Sequence, residues 1–181
     1  MKKALFSFIY FKLLGWKEEI AAPFQDKCVI CVAPHTSNWD LFIGKLYWGA
    51  KGRQACFMMK KDWFFFPLGI IFRAIGGIPV DRGRKTSLVG QMTARFNQTD
   101  KFNLCITPEG TRKPNPDWKK GFYYIAVGAG VPIQLIGIDY GRKTISYTRC
   151  FTPTGDYEKD IVEIKSYFKD FKGKNPENFA Y

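Results

Sequence analysis

The sequence predicts an α/β domain, built as one mixed, mostly parallel sheet flanked by helices. Three observations carry this. Short runs rich in β-branched and apolar residues alternate with segments of helical spacing along most of the chain. Two apolar runs late in the sequence, 131–140 and 144–151, are joined through Gly141-Arg142-Lys143, which reads as a hairpin and so as an antiparallel portion of the sheet. The chain has 181 residues, of which 46% are hydrophobic and 24% charged, enough for a single globular core.

The elements follow in order. Residues 27–33, "KCVICVA", read as a buried strand. Ser37 or Asn38 is placed to cap a helix over about 39–50. Residues 54–59 read as a second strand, and 62–76 as an apolar helix bent or interrupted at Pro67. "GGIPVDR", 76–82, is a glycine turn entering a short strand. In 85–98, Leu88, Met92 and Phe96 share one helical face. A strand over 102–106 leads into a loop. A helix of small and aromatic residues over 118–130 is stopped by Gly130, and 157–171 is an amphipathic helix. The polar tail beyond it is expected to be loose.

Composition narrows the function. Lys and Arg number 28 against 16 Asp and Glu, a net charge of +12, which points to an anionic partner such as a phospholipid surface, a phosphorylated substrate or nucleic acid. The basic residues form no long run, and there is no zinc finger, RNP-like stretch or recognition helix, so nucleic acid is disfavoured. Cys28, Cys31, Cys56, Cys105 and Cys150 are odd in number and show no disulfide framework. Cys28 and Cys31 form a C-x-x-C without the second pair a zinc site needs, so they read as reduced core cysteines. No apolar run reaches the ~18–20 residues of a spanning helix. Residues 1–17 are basic at the start and apolar and aromatic in the middle, with Lys12 interrupting. They fit either a helix packed on the core or one lying in a membrane interface.

Three polar clusters fall at strand ends, where ligand sites of such sheets gather. In "HTSNWD" the only histidine, His35, precedes Asp40 by five residues. With Asp40 in the first turn of a helix, its carboxylate can reach one imidazole nitrogen, fix the tautomer and leave the other nitrogen as a general base. "GGIPVDR" supplies glycines for close backbone approach and Arg82 for an anion. "TPEGTR" supplies Gly110 for a tight turn, with Thr111 and Arg112 as anion-binding groups. No G-x-S-x-G nucleophile elbow is present, so direct attack by an acceptor hydroxyl is the simpler chemistry.

His-x4-Asp, then "GGIPVDR", then "PEGTR", then Val-Pro-Ile, in this order over residues 29 to about 138, resemble the glycerophospholipid acyltransferase family, which includes the lysophosphatidic acid acyltransferases. The resemblance implies a glycerol-3-phosphate acyltransferase-like fold, with a membrane-docking helix in 1–20 and the acyltransferase domain in 21–181. It implies His35 as general base and Asp40 as its orienting partner. Gly77, Arg82, Glu109, Gly110, Thr111 and Arg112 would bind the acceptor and its phosphate, and Val131 and Pro132 would shape the site. The donor would be an acyl-CoA or acyl-ACP thioester, and the default acceptor lysophosphatidic acid, with no metal or other cofactor. The partners would be an anionic membrane surface, coenzyme A or acyl carrier protein, and a lysophospholipid, at the cytoplasmic side of a membrane. Phe64, Phe65, Phe66 and Phe72 are candidates to line an acyl groove. Two other readings stay open: the same transfer to a non-phosphorylated or amino-lipid acceptor, and a non-catalytic membrane-binding module. Oligomeric state has no signal in the sequence.

Overall fold

The computed structural model describes residues 2–81 and 87–181. Among them, seven strands form one sheet: β1 (Lys17–Ile20), β2 (Lys27–Ala33), β3 (Cys56–Lys60), β4 (Gly77–Val80), β5 (Phe102–Ile106), β6 (Ile133–Asp139) and β7 (Thr144–Phe151). Their order is β1-β7-β6-β2-β5-β3-β4. Every neighbouring pair is parallel except β6 and β7, the hairpin read from the sequence.

Strand β2 occupies the centre, with Cys31 level with Ile106 of β5 and Ala33 level with Gly137 of β6. Six of its seven residues are buried, as expected of a parallel strand covered on both faces. Its alternate residues serve two cores. Cys28, Ile30 and Val32 pack with Ile136, Ile138 and Ile145 under helix α2 (Trp39–Lys51), through Ile43, Tyr47 and Trp48. Val29, Cys31 and Ala33 pack on the other side with Leu104, Leu135 and the helices α4 (Leu88–Asn97), α5 (Gly121–Ala129) and α6 (Tyr157–Phe168). The C-x-x-C spacing thus sends its two thiols to opposite faces of one strand. Both are free and buried, and burial pushes both thiols up.

The helix following β2 and the helix following β5 lie on opposite faces of the sheet. The loops leaving these adjacent strands therefore diverge, opening a crevice at their carboxyl ends.

Several expectations change. The apolar segment 62–76 is not one helix. A 3₁₀ turn, Lys61–Trp63, is separated from α3 (Leu68–Ala74) by a break ending at Pro67, which cannot donate to a preceding carbonyl. Strand β1 was not anticipated: "KEEI" is wholly exposed at the sheet edge, so it carries no apolar alternation. Residues 2–13 form helix α1 (Lys2–Ser7) and a π-helical turn, Phe8–Leu13. Tyr10 is fully buried, and Phe6, Phe11 and Leu14 pack beside it on the α2 side, while Leu5, Phe8 and Leu13 face outward.

The tail is not loose. The Phe171 ring covers Gly137, where a Cβ would lie 2.2 Å from it. The Tyr140 N–H donates to the Lys172 carbonyl at 2.8 Å. Asn175 donates through its backbone N–H to Thr36 Oγ1 at 3.1 Å and through its side-chain amide to the Thr36 carbonyl at 3.0 Å. Main-chain groups make much of this attachment, so polar composition hid it.

Candidate functional site

Asp40 sits in the first turn of α2 and folds back over the loop that precedes it. Its Oδ2 accepts from the Thr36 N–H at 2.9 Å and the Ser37 N–H at 3.0 Å, and lies 3.0 Å from His35 Nδ1. Its Oδ1 accepts from the Tyr140 hydroxyl at 2.8 Å. The carboxylate is buried, yet both oxygens are satisfied, which is the condition for keeping a charge there. Of the two anticipated caps, Asn38 makes no side-chain cap bond, while Ser37 Oγ accepts from the Trp39 N–H at the start of α2 at 3.2 Å. With Nδ1 donating to Asp40, Nε2 carries the imidazole lone pair.

The loop after β5 meets the loop after β2. Glu109 Oε1 accepts from the His35 N–H at 2.8 Å. Glu109 Oε2 is buried and has no hydrogen-bond partner among the described residues. Burial drives the Glu109 carboxyl up, against the lowering effect of the His35 N–H. Gly110 takes φ +65°, the left-handed conformation the tight turn requires, and its N–H donates to the Thr107 carbonyl at 3.2 Å. The Arg112 guanidinium bonds Asn38 Oδ1, tying this loop to the start of α2. Thr111 Oγ1 accepts from the Lys113 N–H at 3.2 Å.

Below these loops a cavity of about 650 Å³ opens between α2 and the sheet. His35, Asn38, Asp40 and Thr107 contribute its polar residues near the strand ends, and Leu41, Gly44 and Trp48 give it one face of α2. Val32, Phe57, Met58, Ile106 and Ile136 line it from the sheet. A Cβ on Gly44 would meet nothing within 4 Å. Among the described residues, Lys45 is the Lys or Arg lining it. Its ammonium donates to the carbonyls of Ala55 at 2.5 Å and Ile75 at 2.6 Å and lies 4.6 Å from the centre of the Phe57 ring. Burial draws this lysine down from its ordinary value.

His35, Asp40 and Glu109 are therefore brought together, with Gly110 and Arg112 on the adjoining loop. Arg82 lies outside the described residues. Gly77 is not at the site. It opens β4 at the level of Cys105, and a Cβ there would lie 2.8 Å from the Phe72 carbonyl, so it serves close packing of the preceding segment. Val131 and Pro132 do not shape the site either. They precede β6, and Pro132 receives the Val29 N–H, at the amino ends of the parallel strands, opposite to His35. The phenylalanines proposed for an acyl groove do not line the cavity. Phe64 stacks edge-on with Phe72, and Phe65 and Phe66 face outward. Tyr140 and Asn175 were missed: each reaches the His35 loop from more than 99 residues away, and no local pattern marks such a contact.

A seven-stranded α/β sheet with a His–Asp pair at the crevice of its central strands defines the structural class. Residues 17–139 match the Acyltransferase family, and the chain belongs to it. It is 29% identical over 143 residues to the 1-acyl-sn-glycerol-3-phosphate acyltransferase of Streptococcus pneumoniae (strain ATCC BAA-255 / R6), covering 78% of this chain and 50% of that protein. The chain thus spans about half the length of that curated relative. Its fold is similar to the crystal structure of the 1-acyl-sn-glycerophosphate (LPA) acyltransferase PlsC from Thermotoga maritima. The TM-score is 0.63 at 18% identity, over 92% of this chain and 75% of that one. Among the described residues, no helix is long and apolar enough to cross a membrane.

Proposed function

We propose that this chain moves a fatty acyl group from an acyl-CoA or acyl-ACP thioester to the hydroxyl of a lysophospholipid, with lysophosphatidic acid as the first acceptor to consider and phosphatidic acid as product. The observation that carries this is the His35–Asp40 pair, 3.0 Å apart, on the wall of a largely apolar cavity. The acceptor hydroxyl gives its proton to His35 Nε2 as its oxygen attacks the thioester carbonyl carbon. Asp40 holds the ring and stabilises the imidazolium. The tetrahedral oxyanion collapses, the C–S bond breaks, and the thiolate leaves with the proton returned by His35.

The rest of the site supports this assignment. Arg112 belongs to the loop packed on the His35 loop and is suited to an acceptor phosphate, with Arg82 as its sequence-assigned companion. Glu109 presents a buried, unsatisfied oxygen beside His35, suited to a hydroxyl on the acceptor. Gly110 and Thr111 shape the same turn. The acyl chain fits the apolar space between α2 and the sheet. The reading includes peripheral attachment to an anionic bilayer at the cytoplasmic side of a membrane, in keeping with a net charge of +12.

The test is thiol release from palmitoyl-CoA and palmitoyl-ACP with a panel of phosphorylated, non-phosphorylated and amino-lipid acceptors, products being resolved by mass. Release dependent on lysophosphatidic acid, with phosphatidic acid formed, is the expected result. Release confined to the other acceptors reassigns the acceptor, and none with any pair contradicts the reading.

A further inference from the structure

The cavity beside His35 does not stay on one face of the sheet. Val32, Cys105, Ile136, Ile138 and Ile145 line it and belong to the core on the α2 side. Met58, Val80, Leu88 and Ile106 line it too, and these belong to the other core, where α4 packs. The strand ladders show how one space reaches both faces. β3 pairs with β4 over four residues and β2 with β5 over five, but β3 meets β5 only through Cys56–Leu104 and Phe57–Cys105. Beyond those pairs, toward the carboxyl ends, no ladder joins β3 to β5 among the described residues. Met58 and Ile106 come next on the two strands, and side-chain alternation turns both to the α4 face. The sheet is notched there, and the cavity reaches through the notch.

The space therefore has two apolar arms. One runs under α2, past Gly44 and Lys45; the other is bounded by Met58, Val80, Leu88 and Ile106. The second arm starts beside the reacting groups. Thr107 follows Ile106, lines the same cavity as His35, and opens the loop whose Glu109 accepts from the His35 N–H.

Transfer to a lysophospholipid brings two chains to one point, the chain being moved and the chain the acceptor already carries. Both leave from His35, because the acceptor oxygen and the thioester carbonyl meet there. One arm cannot seat both, and a single chain would leave the apolar walls of the other arm in water. We propose that the arm through the β3–β5 notch holds the acyl chain already on the acceptor, and the α2 arm the chain being transferred. Arg112 decides which is which. The loop that continues β5 carries it, so the phosphate and the chain of one acceptor are held by β5 and the loop it enters. This assignment rests on the acyl-transfer reading. It makes single-chain lipids the acceptor class, in preference to a glycerol phosphate that carries no chain.

Binding and turnover test it separately. Isothermal titration follows hexanoyl- and lauroyl-lysophosphatidic acid, below their micelle concentrations and without donor, on wild type, Leu88→Trp and Gly44→Leu. Leu88 is half-buried and a Cβ on Gly44 meets nothing within 4 Å, so both variants are expected to fold, and melting curves check this. Met58→Phe, a second change that fills the notch, replaces Leu88→Trp if the latter is unfolded. Wild type is predicted to bind the lauroyl ligand at least about tenfold more tightly than the hexanoyl, each buried methylene contributing roughly fourfold. Leu88→Trp is predicted to lose that preference while keeping hexanoyl binding, and Gly44→Leu to retain it. A preference that survives in Leu88→Trp, or that Gly44→Leu removes, overturns the proposal. So does a wild type that binds both ligands equally. Thiol release from palmitoyl-CoA is followed in parallel. Its absence beside intact, chain-dependent binding contradicts acyl transfer, while the notch stands as the seat of the lysolipid chain.

Discussion

The Tyr140 hydroxyl donates to Asp40 Oδ1 at 2.8 Å, joining the end of β6 to the acid that faces His35. The Tyr140 ring meets Trp16 edge-on at 5.1 Å, which fixes its direction. A hydrogen bond to a charged group contributes about 1.5–3 kcal/mol. Tyr140→Phe is predicted to lower kcat by roughly tenfold with little change in KM. An unaltered kcat in a variant that melts lower than wild type assigns Tyr140 a packing role only.

Glu109 is a burden on the fold at neutral pH. Burial raises its carboxyl, so its contribution favours the folded state at acid pH and is lost as pH rises through the raised value. Glu109→Gln keeps an acceptor for the His35 N–H and carries no charge. The variant is predicted to melt above wild type near pH 7, with the gap closing as the pH falls toward about 4. Equal melting at all pH values contradicts this. If its free oxygen serves the acceptor, the same variant loses acyl transfer while gaining stability.

Gly44 faces the cavity with open space where a side chain would stand. Gly44→Ala is predicted to raise stability by about 0.5–1 kcal/mol, the usual gain in a helix interior. Gly44→Leu fills part of the chain-binding space and is predicted to shift preference toward shorter acyl thioesters. A chain-length profile with each variant checks this, and an unaltered profile for Gly44→Leu removes the cavity from acyl recognition.

Asn175 holds the Thr36 carbonyl and hydroxyl, and the Thr36 N–H in turn donates to Asp40. Asn175→Ala is predicted to cost about 1 kcal/mol of stability and to reduce turnover well below the melting transition. Thermal melts beside initial rates separate the two effects. Full activity would show that the His35 loop holds itself.

The central strands were legible because β2 and β6 are continuous apolar runs, and the hairpin because a short polar turn joins β6 to β7. Strand β1 was not, since an exposed edge strand buries nothing that patterns its sequence. The His35–Asp40 contact was legible because it spans one loop and one helical turn. Tyr140 and Asn175 were not, because their bonds depend on which strand ends the fold brings together. Gly77, Val131 and Pro132 show the converse. Motif order marked them as companions of His35, but order along the chain does not say at which end of a strand a residue stands.

The most direct test of the central claim is acceptor-dependent thiol release by wild type and His35→Ala, side by side, with melting curves to confirm that both are folded. The account predicts that the folded variant loses transfer by about 10²–10⁴-fold. A folded His35→Ala protein that transfers acyl groups at the wild-type rate would contradict it.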